Sequence, residues 1–471
     1  MSDPAARPHP SRSLFILSLS GLAFSLAQTT LIPALGDLKL RLHTDATGVA
    51  WTLTGYLLAA AVATPLFGRL GDMFGKRRML VVSLACFAAG SMVSAIGNTL
   101  EVVVAGRVLQ GVGGGIFPLC FGIIRDEFPP ERVARSIGLI SAILGIGGGL
   151  GLIVGGLLAD HASYHVIFWL GAAMAVGAAV ATELFIPESP VRTPGRVDLR
   201  GAAVLSLGLI APLYAISQAN AWGWGSARVI GLIAAGLVVL GAWVRLEQRT
   251  ASPLANVRTL AKPPVLMTNL ATLFVGFGMF GSFLLIPQLA EAPKATGYGF
   301  GLDATGAGLL MLPGSLAMLF IGPLSGVLGG RFGSKVPLAI GGATTTLGLL
   351  LLGLAHHTHV EVLIGSLIMS IGIGFAFAAM PNLIVEAVPL AQTGEATGFN
   401  ALVRSVGSSL GAQVSAAILA ASAVASGVPT DSGYTAAFLT SAGIALAATV
   451  VAAAIPARSR SRAAAPVAVK R

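Results

Sequence analysis

Fourteen apolar runs divide the chain, each long enough to cross a hydrocarbon layer and each bounded by a short polar or basic segment. They lie near 14–35, 48–69, 79–97, 101–124, 137–158 and 166–186, then 201–219 and 228–245. The last six lie near 265–290, 305–328, 337–355, 361–384, 397–424 and 434–455. A hydrocarbon core of roughly 30 Å takes about 20 helical residues, so the pattern predicts membrane-spanning helices joined by short loops. No segment between the runs is long enough for a soluble domain. The first run follows Arg7 and Arg12, as a signal peptide would. It continues without a small-residue cleavage pattern, which predicts a retained helix. The expected fold class is an all-α polytopic membrane protein.

Composition agrees with this. Of 471 residues, 55% are hydrophobic and 10% charged, against about 25% charged in a soluble domain. The 61 glycines suit helices that approach closely in lipid, where small residues make the contacts. Cys86 and Cys120 both fall inside apolar runs, which argues against a disulfide framework or a thiolate metal site.

The cations set the orientation. With both termini in the cytoplasm, inner segments and helix ends carry 23 of the 29 Lys and Arg residues. Outer loops hold four, Lys39, Arg41, Arg228 and Lys294, while Arg107 and Arg404 lie within runs. That asymmetry is the positive-inside rule. It also accounts for the net charge of +10 through contact with anionic lipid, so no nucleic-acid partner is expected.

Between the second and third runs stands Gly68-Arg69-Leu70-Gly71-Asp72-Met73-Phe74-Gly75-Lys76-Arg77-Arg78. Its glycines let two helix ends approach, and Asp72 is the lone acid among four cations. After the tenth run, Gly326-Val-Leu-Gly-Gly330-Arg-Phe-Gly333-Ser-Lys335 repeats the pattern 258 residues later (326 minus 68), with Gly330 in place of the acid. The loop resembles the signature loop of the major facilitator superfamily of secondary transporters. The repeat suits that family's two pseudo-symmetric six-helix bundles, with two extra helices making a fourteen-helix form. The implied organisation is a tail over 1–13, an N-terminal bundle over 14–186 and a linker with two helices over 187–262. A C-terminal bundle over 263–455 and a basic tail over 456–471 complete it.

Three further motifs refine the resemblance. In the fourth run Arg107, Gln110, Gly111, Gly114 and Gly115 share one helical stripe. An arginine at membrane depth costs at least about 2.5–3.5 kcal/mol unless it faces a cavity or a partner. The pattern resembles the family's helix-four motif, whose arginine is implicated in proton coupling; a buried arginine capped by carbonyls is the plainer alternative. In the fifth run Gly138, Gly147, Gly151, Gly155 and Gly156 resemble the antiporter motif of drug exporters, with Leu152 where that motif has proline. Ordinary small-residue packing is the alternative here. In the first run Gln28 stands where fourteen-helix drug/proton antiporters usually carry an aspartate, and glutamine cannot carry a proton. The acids closest to membrane depth are Glu101, Asp160, Glu183, Glu291 and Glu386, all near run ends, and none stands out as the carrier.

Gating or coupling positions implied by the resemblance are Arg107, Asp72, Gly68, Gly75 and Arg77. Candidate cavity residues are Gln28, Tyr56, Gln110, Phe117, Asn400 and Arg404, with Tyr214, Gln218, Asn269, Phe277, Phe280, Gln288 and Asn382 as further positions. Asn400, Arg404, Gly407 and Gly411 share one face of the thirteenth run. His356, His357 and His359 have a metal-like density but only Glu361 as a nearby acid, so they read as a solvated outer loop without a metal. The resemblance implies a transporter and not an enzyme: a multi-pass protein of a bacterial inner membrane, exporting hydrophobic or cationic compounds by proton antiport with alternating access. It implies no cofactor beyond the proton gradient; the expected partners are a small-molecule substrate, protons and the bilayer, and the chain is expected to act as a monomer. An importer or facilitator of a specific metabolite on the same fold is the alternative. A membrane sensor or enzyme would need an appended domain or a catalytic constellation, and the sequence offers neither.

Overall fold

The computed structural model describes residues 10–44, 46–192, 198–250, 253–424 and 428–456. Arg7, Arg196, Arg458, Arg460, Arg462, Lys470 and Arg471 lie outside the described residues, as do the side chains of Asp160 and Phe280. The N-terminal half contains α1 (Pro10–Thr29), the short α2 (Leu35–Arg41), α3 (Ala46–Phe74), α4 (Lys76–Ile96), α5 (Leu100–Val112), α6 (Ile116–Glu127), α7 (Pro130–His161) and α8 (Tyr164–Phe185). Next come α9 (Leu199–Trp222), α10 (Ala227–Arg249) and one turn, α11 (Val257–Leu260). The C-terminal half contains α12 (Pro263–Glu291), α13 (Ala304–Phe332), α14 (Lys335–Leu354), α15 (His359–Ala387), α16 (Thr393–Ser422) and α17 (Asp431–Ala454). Among the described residues, fourteen helical spans are long and apolar enough to cross a membrane.

Local chemistry explains the helix ends. Asp198, Ser226, Asp303 and Thr430 each accept a backbone N–H from the first turn of the helix they precede. Thr358 and Glu361 form a reciprocal capping box at the start of α15. Pro130 and Pro263 begin α7 and α12, where the missing N–H has no intrahelical partner to lose.

Two expected spans differ in detail. The first does not run to 35. It stops at Thr29, because the turn through Pro33 breaks the helix, and the short α2 folds back. Leu31 and Leu38 then join Val103, Tyr164 and Phe168 in an apolar cluster. The fourth span is not one continuous α-helix either. A 3₁₀ turn at Gly113–Gly115 separates α5 from α6. A Cβ on Gly113 or Gly115 would strike Phe87 or Phe67, so the bare backbone wedges between α3 and α4.

Each half has its own core. Leu17, Leu80, Leu84, Phe87 and Ile123 centre the N-terminal one, and Ile286, Leu349, Met369, Ile373 and Phe438 the C-terminal one. Leu144 of α7 packs against both. Between the halves, α7 packs along α13 and α3 along α16. The α9–α10 hairpin lies outside this joint: Leu205, Leu209 and Leu213 of α9 and Trp243 of α10 cluster with Ala61 of α3 and Leu402 of α16. Only 17% of the α10 window is buried, so α10 is the outermost span.

Candidate functional site

The face carrying the cationic loops, here the basic face, is where the two halves are tied most tightly by polar groups. Asp72, 1% exposed near the end of α3, accepts the backbone N–H groups of Gly394 (3.2 Å) and Glu395 (2.9 Å) in the first turn of α16. Those donors have no intrahelical partner, and the helix N-terminus carries partial positive charge, so a carboxylate is the fitting acceptor. Gly68, one turn back, permits the approach: a Cβ there would strike the Gly394 carbonyl, and one on Gly394 would strike that of Gly68. Behind Asp72, buried Lys76 lies 3.4 Å from its carboxylate and 2.6 Å from that of Asp126. Arg69 lies 3.5 Å from Glu395, both buried, and Glu395 also accepts the N–H of Asn256. Arg125 at the end of α6 donates to Thr393 Oγ1 (2.6 Å) and to the Val388 carbonyl (2.8 Å).

Gly75 turns the chain at φ 107°, a region that favours glycine. In the space its side chain would take sits Glu188, which accepts the N–H groups of Arg77 (3.2 Å) and Arg78 (3.1 Å) and so caps α4. Arg77 pairs with Glu183 and Glu188 inside its own half rather than across the joint.

The five glycines of the fifth run, all on α7, mark two close contacts. Gly147, Gly151 and Gly155 receive Ser25 and Thr29 of α1 and Thr30 just beyond its end. Gly138 meets the Gly322 backbone of α13, and Gly156 meets Thr305 at the other end of that helix. Ser25 and Thr29 also donate to the Leu144 and Gly147 carbonyls of α7 (2.6 and 3.3 Å). The motif therefore lets one helix serve as a spine pressed between α1 and α13. At the proline position, α7 continues unbroken and Leu152 is buried in the C-terminal core.

Arg107 is fully enclosed in the N-terminal half. It donates to the carbonyls of Thr52 (2.9 Å) and Ala27 (3.3 Å) and to Gln110 Oε1 (2.8 Å), with its guanidinium 4.2 Å from the Tyr56 ring centre. Gln110 passes the chain to Ser91 (2.6 Å). One guanidinium nitrogen, Nη2, and the Tyr56 hydroxyl are buried without a partner among the described residues. Tyr56 and Gln110 thus build the arginine's nest, and Phe117 is packed among Phe24 and Phe121. Asn400 is buried too, donating to Asn269 Oδ1 and Thr272 Oγ1 of α12 (2.8 Å each). Gln28 and Arg404 are left half-buried, as are Tyr214 and Gln218 of α9 among the further positions.

The outer histidines have a carboxylate partner that sequence distance hid. His356 Nε2 lies 2.9 Å from Asp431 at the start of α17, while its Nδ1 lies 2.7 Å from the Leu352 carbonyl. His359 stacks on Phe300 instead. Glu395, Asp126 and Arg125 are the seam residues the sequence reading did not single out. A Gly-Glu pair opening an apolar run was the available signal for Glu395.

Beside the seam, an apolar cleft of about 500 Å³ opens between α3, α5 and α9, lined by Trp51, Leu58, Phe67, Val108 and Ile210, with Arg69 and Asp198 at its basic end.

Residues 17–412 match the profile of the Major Facilitator Superfamily. The tetracenomycin C resistance and export protein of Streptomyces glaucescens is 29% identical over 87% of this chain and 76% of its own length. The multidrug resistance protein Stp of Mycobacterium tuberculosis is 28% identical over 84% and 72%. A uridine/deoxyuridine transporter of Lactococcus lactis is 28% identical over 82% of each. Among solved structures, the human organic anion transporter MFSD10 (TETRAN) shares the fold at a TM-score of 0.68 and 17% identity, over 95% of this chain and all of the other. With fourteen spans, two halves and a profile match across most of its length, the chain belongs to the Major Facilitator Superfamily of membrane transporters.

Proposed function

We infer that the chain exports hydrophobic, drug-like small molecules across a bacterial cytoplasmic membrane in exchange for protons, by alternating access to its two faces. The observation that carries this reading is the seam at the basic face, read as cytoplasmic from its cations. Asp72 and Glu395 are buried carboxylates whose charge holds α3 to α16. A proton on either carboxylate would weaken charge-assisted hydrogen bonds that are roughly twice as strong as neutral ones. Proton binding and seam opening are coupled in this reading, and the pair replaces Gln28 as the place where a proton acts. Arg107 supplies a fixed charge toward the other end of α3, where it holds the Thr52 carbonyl. The proton gradient is the proposed energy source, with no cofactor, and the monomer the proposed working unit.

Export direction is supported by the resistance and export relatives and by the glycine spine. The apolar cleft offers compounds dissolved in the bilayer a lateral path to the seam. A second reading, uptake of a specific metabolite, is favoured by the uridine/deoxyuridine relative. Dye efflux from energised cells, with and without a protonophore, separates them. Protein-dependent, protonophore-sensitive extrusion is expected. Extrusion that ignores the protonophore would overturn proton coupling, and protein-dependent accumulation would establish import.

A further inference from the structure

The other charge at membrane depth, Arg404, differs from Arg107 in having no hydrogen-bond acceptor among the described residues. It lies eleven residues beyond Thr393 on α16 (404 minus 393), about 16 Å along the axis from the basic end at about 1.5 Å per residue. Its described partner is the ring of Phe377 on α15, with the guanidinium 5.1 Å from the centroid. No carboxylate or carbonyl among the described residues accepts from it. Its N–H groups are not among the buried, unpartnered atoms, whereas Nη2 of Arg107 is. Arg404 is half-buried where Arg107 is sealed, so it keeps an opening that Arg107 lacks.

That opening faces protein and not lipid. Gly276 of α12 packs on the Arg404 carbonyl, and Gly407 and Gly411, on the same face, receive the Leu273 and Phe277 carbonyls of α12. Phe377 belongs to α15, whose apolar window is 72% buried, the highest share of any span. Every acid of 263–455 lies at a helix end: Glu291, Asp303, Glu361, Glu386, Glu395 and Asp431. The undescribed side chains of α12, at 280–282, are Phe, Gly and Ser and add none.

A cation at this depth is costly unless a partner or cavity meets it. We propose that Arg404 is the counter-ion for an anionic group, a carboxylate or ionised phenol, on the exported compound, with the Phe377 ring steadying the guanidinium from another side. The fork of guanidinium N–H donors suits a carboxylate held by two parallel hydrogen bonds. A cationic compound would find no mid-membrane acid to neutralise it. The inference rests on the exporter reading and specifies its substrate class.

Fluorescein and rhodamine 123 share a xanthene skeleton but are anionic and cationic respectively. Their export is to be measured in proteoliposomes of purified full-length protein under an imposed pH gradient. Wild type is expected to favour fluorescein. Arg404→Gln should lower fluorescein export roughly tenfold or more, the factor set by about 1.4 kcal/mol or more of lost interaction, without lowering rhodamine export. Arg404→Lys should retain much of the fluorescein signal, and Arg404→Glu should invert the preference; both also show that the site tolerates change without misfolding. Rhodamine export without fluorescein export, or equal loss of both in Arg404→Gln, overturns the anion proposal and leaves the exporter reading standing. Export of neither dye by wild type rejects both.

Discussion

The two joints between the halves meet the same face of the membrane with opposite chemistry. Where α3 ends against α16, charge holds them: Asp72 caps the α16 N-terminus, Arg69 faces Glu395, and Arg125 reaches across to Thr393. Where α13 ends against the start of α7, bare backbone does it. Gly322 lies on Gly138, Gly326 lies on Ala134, and Asn382 donates to the Ala134 carbonyl (3.1 Å). At the position of Asp72 in the repeat, Gly330 has open space around it. Hydrogen bonds to charged groups can be made and broken by a proton. Close packing between glycines has no such handle, but it lets two helices rock while staying in contact. Under the proposed alternating access, the first joint would serve as a latch and the second as a hinge.

The largest effect is expected at the latch. Asp72→Asn keeps the shape but removes the charge that two helix N–H groups and Lys76 all face. Hydrogen bonds to charged groups contribute about 1.5–3 kcal/mol, and each 1.4 kcal/mol or so is tenfold in rate. Turnover should fall by roughly tenfold or more while KM changes little. Weakened affinity at unchanged turnover would remove Asp72 from gating.

At the hinge, Gly138→Val forces a branched side chain against the Gly322 backbone, which cannot swing aside as a flexible side chain would. Overpacking costs about 1–3 kcal/mol, so the melting temperature of the detergent-solubilised protein should fall and transport with it. Gly148→Ala on the same helix, where nothing lies within 4 Å, should do neither. Equal effects of the two would mean that α7 merely dislikes larger residues.

The glycine contacts of α7 were legible in the sequence and the charged seam only half so. Glycine spacing on α7 is a one-dimensional pattern, and period and residue type are enough to find it. The span count and the family followed from apolar runs and one loop in the same way. The partners of Asp72 did not, because Gly394 and Glu395 lie 322 and 323 residues away in sequence. His356 and Asp431, 75 residues apart, were hidden for the same reason. Nor does sequence tell an enclosed polar residue from an open one. Gln110, Tyr56 and Asn400 looked like cavity lining, and tertiary packing sealed each against a neighbour.

The smallest effect is expected at Arg77, which tests whether the latch is a matter of specific geometry or of positive charge in the loop. Arg77 stands one residue beyond Lys76 and carries the same sign. Yet it faces Glu183, which is 53% exposed, at 3.5 Å, and its own side chain is 28% exposed. Exposed pairs of this kind contribute about 0.2–1 kcal/mol. Lys76, in contrast, is fully buried between Asp72 and Asp126. Arg77→Ala should therefore leave efflux within about twofold of wild type, by the same energetics. Its main loss should be a modest drop in thermal stability, since the backbone N–H to Glu188 survives the substitution. A tenfold loss of turnover in Arg77→Ala would mean that the loop acts through its summed charge and that the fixed contacts of Asp72 are not the latch.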